Sequence, residues 1–195
     1  MSKIAIVYHS GYGHTAVLAE SIATGARAVA GSDVTVYKAD DLASPDKGPW
    51  AELAAADAII FGAPTYMGSL SAPFKQFMDA SSKAWYGDVW KNKIAAGFTN
   101  SASWSGDKLN SLQQLAVFAA QHGMIWTSTG MKAGFNSSTG KIDDINRVGS
   151  FLGLMAQSNT DQGPDVAPPA QDRKTAELFG QRVAEVTKRW TATNA

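Results

Sequence analysis

The 195-residue chain contains no cysteine, which removes disulfides, zinc–thiolate centres and thiol nucleophiles from consideration at once. It lacks a charge excess as well. Lys+Arg and Asp+Glu both number 17, so no net field steers it to nucleic acid, an anionic membrane or a strongly basic partner. No apolar run approaches the roughly 20 residues that a membrane helix needs. The first apolar run follows a single Lys3 and breaks at His9, too short for a secretory leader, so the expected location is cytoplasmic. Repeats, low-complexity tracts and linkers are missing too, and residues 1–195 are expected to form one domain. Nor is a metal expected: Asp143-Asp144 has no His or further acid nearby and reads as a solvated loop.

What is present is an alternation of short apolar strands with helix-period segments. Ile4 to Tyr8 reads as a buried strand, and Thr15 to Val29 follows with Leu18, Ile22, Ala26 and Val29 on one face and Gly31 placed to end it. Val34 to Tyr37 alternates as a second strand, and a short helix is expected around Trp50 to Ala55. Ala58 to Gly62 and Ile94 to Thr99 are almost wholly apolar, as strands covered on both faces should be. Phe74, Phe77 and Met78 mark a helix between them, and Leu109 to His122 carries the next. A fifth strand is expected within Met124 to Met131, and a last helix from about Gln171 to Trp190. Five such alternations predict an α/β fold with a doubly wound, five-stranded parallel sheet. Between them, Ala133 to Pro169 is a long Gly-, Ser-, Asn- and Pro-rich loop with one weak helical patch at Ile145 to Met155. A loop of that length is usually functional or a partner contact.

In open α/β sheets ligands bind beyond the carboxyl ends of the strands, so the loops after strands one, three and four should meet. The first is Ser10-Gly11-Tyr12-Gly13-His14-Thr15, which sends hydroxyls and backbone N–H groups toward a helix N-terminus, a natural anion seat. It also matches G-x-G-x-x-G/A formally, with Asp40 near the place of a ribose-binding acid. Hydroxyl donors such as Ser10 and Thr15 suit a terminal phosphate monoester better than a dinucleotide pyrophosphate, which needs bare backbone. A ligand-free tight turn is the plain alternative. The second loop, Pro64-Thr65-Tyr66-Met67-Gly68, offers a stiffened turn, a hydroxyl and a soft face for a heteroaromatic ring. The third holds Thr99, Asn100, Ser101, Ser103 and Trp104. Trp104 either stacks on the ring or caps a core edge. Together the loops describe a pocket for an aromatic ring with a phosphate tail.

The text Tyr-His-Ser-Gly-Tyr-Gly-His-Thr at 8–15, Phe-Gly-Ala-Pro-Thr-Tyr-Met-Gly at 61–68 and Gln-His-Gly-Met at 121–124 resembles the flavodoxin-like FMN proteins. The resemblance is strongest to the tryptophan-repressor-binding-protein type of NAD(P)H:quinone oxidoreductase. It implies a flavodoxin-like sheet of order 2-1-3-4-5. It also implies FMN held at its phosphate by Ser10, Gly13, His14 and Thr15 within the loop that includes Gly11 and Tyr12. Pro64 to Gly68 would line the isoalloxazine, and Thr99, Asn100, Ser101 and Ser103 would cover the far side of the phosphate and ribityl chain. His122 would stand next to the ring as an assistant to proton transfer, although a His before Gly also terminates a helix favourably. Trp85 would reach a neighbouring subunit's flavin site, in a homodimer or homotetramer.

Two departures mark this chain. Tyr66-Met67 stands where the resembled family has an Arg-Phe pair, and the third loop carries Asn100, Trp104 and Asp107 in place of a glycine-rich Ser-Thr-Gly string. The implied activity is transfer of reducing equivalents from NAD(P)H to a quinone or similar small acceptor, with no nucleic acid or membrane partner. A flavodoxin-type one-electron carrier or a non-catalytic flavin-binding protein is the alternative, but a carrier docking basic partners would be expected to be acidic.

Overall fold

In the computed structural model, which describes residues 1–192, the first apolar run forms β1 (Ser2–Tyr8) and the turn after it feeds α1 (His14–Arg27). The chain continues through β2 (Ser32–Lys38), a 3₁₀ turn (Ala39–Leu42), α2 (Trp50–Ala55), β3 (Ala58–Tyr66) and β4 (Ser69–Leu70). Then come α3 (Ala72–Ala80), α4 (Ser82–Tyr86), β5 (Ile94–Ser101), α5 (Lys108–Gln121), β6 (Ile125–Trp126), β7 (Leu154–Gln157) and α6 (Ala170–Ala192). Residues 193–195 of the expected domain lie outside the described residues.

The main path of the sheet runs β2-β1-β3-β5-β6, all parallel, which is the flavodoxin-like order 2-1-3-4-5 with β5 and β6 as fourth and fifth strands. The sheet has seven strands rather than five. β4 folds back on β3 as an antiparallel hairpin. β6 pairs with Ile94 and Ala95 at the start of β5, whereas β7 pairs with Phe98 to Ser101 at its end. Two short strands therefore share the fifth position, with residues 127–153 looping out between them.

The strand expected within Met124 to Met131 is the short β6, Ile125–Trp126. The helical patch expected at Ile145 to Met155 is instead a turn followed by β7. Asn146 and Gly149 adopt left-handed φ of 51° and 78°, which a helix cannot contain. The Asn146 side chain locks the turn by accepting from Ser150 N and donating to the Ser150 carbonyl. Beyond it, Leu154 and Ala156 share one face and Met155 takes the other, a period of two.

The same alternation splits the core. Ile4, Ile6 and Ile60 face α1 and α6 with Leu18, Ile22, Phe179 and Val183. Ala5, Val7, Ile59 and Phe61 face the other layer, with Phe74, Phe77, Trp90, Leu112, Leu115 and Phe118. Helices α1 and α6 touch backbone to backbone. A Cβ on Gly25 would lie 1.7 Å from the Glu177 carbonyl oxygen, and one on Gly180 would lie 2.0 Å from that of Ile22. The reciprocal pair of glycines sets the spacing that brings the start of α1 to the sheet edge.

Candidate functional site

Because the main strands are parallel, the loops leaving β1, β3 and β5 converge at one edge, and β7 adds a fourth. They enclose a cleft of about 990 Å³. The first loop contributes Ser10, Tyr12, His14 and Thr15, the second Pro64, Thr65, Tyr66, Met67 and Gly68, and the third Asn100, Ser101, Ala102, Ser103 and Gly106. The fourth contributes Ser158, Thr160, Asp161, Gln162 and Gly163. Sequence reasoning flagged the long segment that contains this fourth loop but named none of its residues.

In the first loop Gly13 holds φ 90°, and its N–H donates to Ser10 Oγ at 3.1 Å. Helix α1 then begins with no side-chain cap and no acid in its first turn, so its positive dipole end stands open for an anion. Thr15 is buried beside it. His14 donates from Nε2 to the Gln162 carbonyl at 2.8 Å, tying the first loop to the fourth. Pro164 closes the same end, only 2.9 Å from where a Cβ on Gly13 would stand.

The second loop is a two-residue hairpin whose tip residues, Met67 and Gly68, hold φ 48° and 77°. Positive φ at both positions is the twist-matched hairpin turn, and Gly68 meets it freely. Met67 does so with a bulky side chain that is fully exposed, the kind of local strain that gathers at binding sites. Tyr66 packs edge-on against Tyr12 at a centroid distance of 6.3 Å. Burial raises the Tyr66 phenol above its ordinary pKa, opposed by a hydrogen bond from the Gly11 backbone. These rings give the cleft an apolar wall.

Thr65 Oγ1 lies 2.7 Å from both Thr99 Oγ1 and Ser111 Oγ, a buried hydroxyl cluster that fastens the second loop to β5 and α5. Thr99 is fully buried and is part of that fastening rather than of the lining. Asn100 accepts from Ser158 Oγ at 3.0 Å, joining the third and fourth loops. Trp104, half exposed, lies against the Arg147 guanidinium at 4.6 Å instead of lining the cleft. Gly11 and Gly13 shape the first loop without lining it.

The structure does not bring His122 to the cleft. It follows the last residue of α5, whose 14 residues, at about 1.5 Å each, carry the chain roughly 21 Å from the third loop toward the opposite edge of the sheet. There it is 5% exposed, tilted against Trp90 at a centroid distance of 4.3 Å and edge-on to Phe118, with Nε2 2.9 Å from Ser81 Oγ. Desolvation lowers its pKa to about 4, so it is a neutral core residue at pH 7. A role beside the ring of its own chain is therefore corrected. Trp85 belongs to the same rear edge, because α3 runs back from the cleft and is followed at once by Ser81, the partner of His122. Trp85 and Tyr86 are exposed, whereas Trp90 is fully buried.

The profile of the NADPH-dependent FMN reductase family matches residues 13–134. The chain belongs to that family. Membership sets the cofactor class as FMN and the electron donor as NAD(P)H. Among relatives of this FMN reductase-family chain, Flavodoxin FldP of Pseudomonas aeruginosa is 42% identical over 186 residues, covering 95% of this chain and 97% of its own. An NAD(P)H dehydrogenase (quinone) of Geobacter sulfurreducens is 32% identical, covering 94% and 97%. The crystal structure of a flavodoxin, WrbA-like protein from Agrobacterium tumefaciens superposes with a TM-score of 0.74 at 42% identity, covering 97% of this chain and 99% of its own. The cleft fits FMN on its own geometry. An uncapped helix start with Ser10 and Thr15 suits the phosphate, and Tyr12, Tyr66 and Met67 give a flat ring an apolar wall. No helix of the described residues is long and apolar enough to cross a membrane.

Proposed function

We propose that the chain is an FMN-dependent oxidoreductase that passes reducing equivalents from NAD(P)H to a quinone or similar small acceptor. The observation that carries this reading is the size of the cleft. At about 990 Å³ it stands at the top of the roughly 300–1,000 Å³ range of single-ligand pockets. A one-electron carrier needs only an exposed flavin edge. A cleft of this size accommodates a flavin, and its open mouth, beside the exposed Met67, is where a second planar molecule would reach the ring. When bound in the cleft, FMN would supply the redox chemistry between NAD(P)H and the acceptor.

The chain's own residues bind and orient. Ser10 and Thr15 donate to the phosphate, supported by the amides and dipole of α1. His14 and Pro164 close that end, which favours a terminal phosphate over the continuing diphosphate of FAD. Pro64 to Gly68 present the ring's neighbours, and Tyr12 and Tyr66 shield it from water. Asn100, Ser101 and Ser103 face the remaining hydroxyls. No acid or base of the chain is required for the redox step, and His122 supplies none from its own subunit.

The active form is a homo-oligomer, dimer or tetramer, in which Trp85 of one chain approaches the cleft of another. Trp85, Tyr86 and Val89 support this, being 51%, 89% and 38% exposed within five residues. Large aromatics concentrated on so short a surface segment are typical interface anchors.

The second reading, a flavodoxin-type carrier, is favoured by the name of the 42%-identical relative, and the balance of 17 against 17 charges opposes it. Steady-state oxidation of NADH and NADPH by the FMN-loaded protein with benzoquinone separates the two. Sustained benzoquinone-dependent turnover is the expected result. A flavin that dithionite reduces but neither nicotinamide does, with no turnover, refutes the enzyme reading and leaves the carrier.

A further inference from the structure

Lys108 is the first residue of α5 and is fully buried. Both facts are costly, since the helix dipole opposes a cation at its N-terminus and burial strips the ammonium of water. The compensation comes from the loop after β5. Lys108 Nζ donates to Ser101 Oγ at 2.9 Å, to the Ser103 carbonyl at 2.6 Å and to the Trp104 carbonyl at 2.8 Å. Ser101 and Ser103 line the cleft. Behind them, Arg147 and Asp172 form a buried, two-pronged ion pair at 2.7 and 2.9 Å. Arg147 also donates to Gln157 Oε1, and Gln157 Nε2 donates to the Ala102 carbonyl. The guanidinium and carboxylate cancel, which leaves the ammonium as the surplus charge of the cluster. The cofactor contacts proposed above make no use of it.

We infer that Lys108 is a positioning residue for the anionic flavin, its ammonium pinning the 101–106 loop in the shape that lines the cleft and placing a net positive charge directly behind it. The inference rests on the FMN reading. It also explains how a loop without the glycine-rich string of the resembled family holds its shape: three oxygens converge on one buried cation.

The charge is titratable in a useful range. The Lys108 pKa is lowered from 10.5 to about 8, chiefly by desolvation, with Asp172 of α6 raising it and Arg147, which faces it from the 127–153 segment, lowering it. Gln157 of β7 is neutral, and Asp107 adjoins Lys108 in sequence. Above about pH 8 the ammonium loses its charge and its third N–H. Folding depresses this pKa, so the group's own contribution to stability rises with pH between about 8 and 10.5. Loss of flavin affinity on passing pH 8 is therefore not explained by Lys108-linked unfolding.

The test titrates apoprotein with FMN by flavin fluorescence at pH 7 and pH 9, for the wild type, Lys108→Met and Lys108→Gln, with thermal melts alongside. Lys108→Met should bind FMN about tenfold or more weakly at pH 7, the scale of one lost charge-assisted hydrogen bond. Its melting temperature should fall modestly while the fold persists, because Ser101 Oγ and the Ser103 and Trp104 carbonyls lose their donor as the buried charge is removed. Lys108→Gln, which returns a donor without a charge, should recover part of the affinity. Wild-type affinity should drop severalfold from pH 7 to 9, and neither variant should share that drop. A Met variant within twofold of the wild type at pH 7 overturns the inference. If the Met variant does not fold, Lys108→Gln decides, and wild-type FMN affinity in that variant overturns it as well. A wild type that binds no FMN refutes the functional reading, and this inference with it.

Discussion

Replacing His122 by Leu should remove a pH dependence from folding and leave turnover in place. The ring is 5% exposed with no acid beside it, and desolvation lowers its pKa from 6.5 to about 4. The sign follows from which state holds the proton. Between about pH 4 and 6.5 the unfolded chain binds a proton that the folded chain refuses, so stability is full above 6.5 and falls as pH drops toward 4. Each pH unit across that window is worth about 1.36 kcal/mol, which makes the whole effect roughly 3 kcal/mol, most of it spent by pH 4.5. Leu loses the bond to Ser81, but Ser81 Oγ still donates to the Met78 carbonyl at 2.7 Å. It also removes Nδ1, a buried atom without a partner. The variant should thus match the wild type within about 1 kcal/mol at pH 7.5.

Urea unfolding of both proteins at pH 7.5, 6, 5 and 4.5 measures this. Carboxylates that titrate over the range are common to the two, so the difference between them isolates His122. The variant should be the more stable protein at pH 4.5 by about 2 kcal/mol. Parallel curves would refute the burial argument. A variant that folds normally but loses most of its turnover would show that His122 acts on a neighbouring chain's flavin, against its placement in the core.

Three further outcomes are expected. Ser10→Ala with Thr15→Ala should weaken FMN by a few kcal/mol, each bond to a charged group being worth about 1.5–3 kcal/mol, and an unchanged dissociation constant removes the phosphate assignment. Gly180→Ala should destabilise the fold by about 2 kcal/mol or more in urea, since its Cβ would meet the Ile22 carbonyl oxygen at 2.0 Å, and a neutral effect would mean that α1 and α6 separate freely. Trp85→Ala should loosen the assembly in sedimentation and slow quinone turnover more than it weakens FMN, and a fully active monomer sinks the cross-subunit proposal.

How far the sequence foretold the structure depends on how local each determinant is. Strands β1, β3 and β5 and helices α1, α5 and α6 announce themselves through period, because each buries a full face or both faces. β4 does not: it is two residues long and exists because Met67-Gly68 turns the chain back on β3. β7 is hidden for a similar reason, lying behind a turn set by the Asn146 side chain and a pairing to β5 some fifty residues earlier. That pairing also delivers the fourth loop, since Gln157 sits opposite Ser101 in register. Residues 158–164 therefore reach the cleft through a long-range contact and carry no motif. Arg147 and Asp172 are 25 positions apart and equally silent. His122 is different, because helix length alone places a residue at the end of α5 far from the loop that begins it. Its neutral, buried ring packs in the core and gives the helix end no cationic charge either.

The two edges of the sheet divide the chemistry, and one topological fact causes the division. Helices α3 and α5 leave the cleft and run back against the strands, so whatever follows them is carried to the rear edge. At the front, among the described residues, the cleft lining contains no Lys or Arg and a single acid, Asp161. Its anion must be met by hydroxyls, amides and the α1 dipole, with the cationic Lys108 kept one layer behind. At the rear stand Trp85, Tyr86 and Val89, more apolar surface than a connecting segment needs. A rear edge cannot complete its own chain's cleft. It can complete a neighbour's, and a two-fold pair makes that contact twice. The proposed homo-oligomer is what reconciles the resemblance, which sets an aromatic beside the flavin, with a single chain whose Trp85 lies at the rear edge, and it needs no rearrangement of the fold.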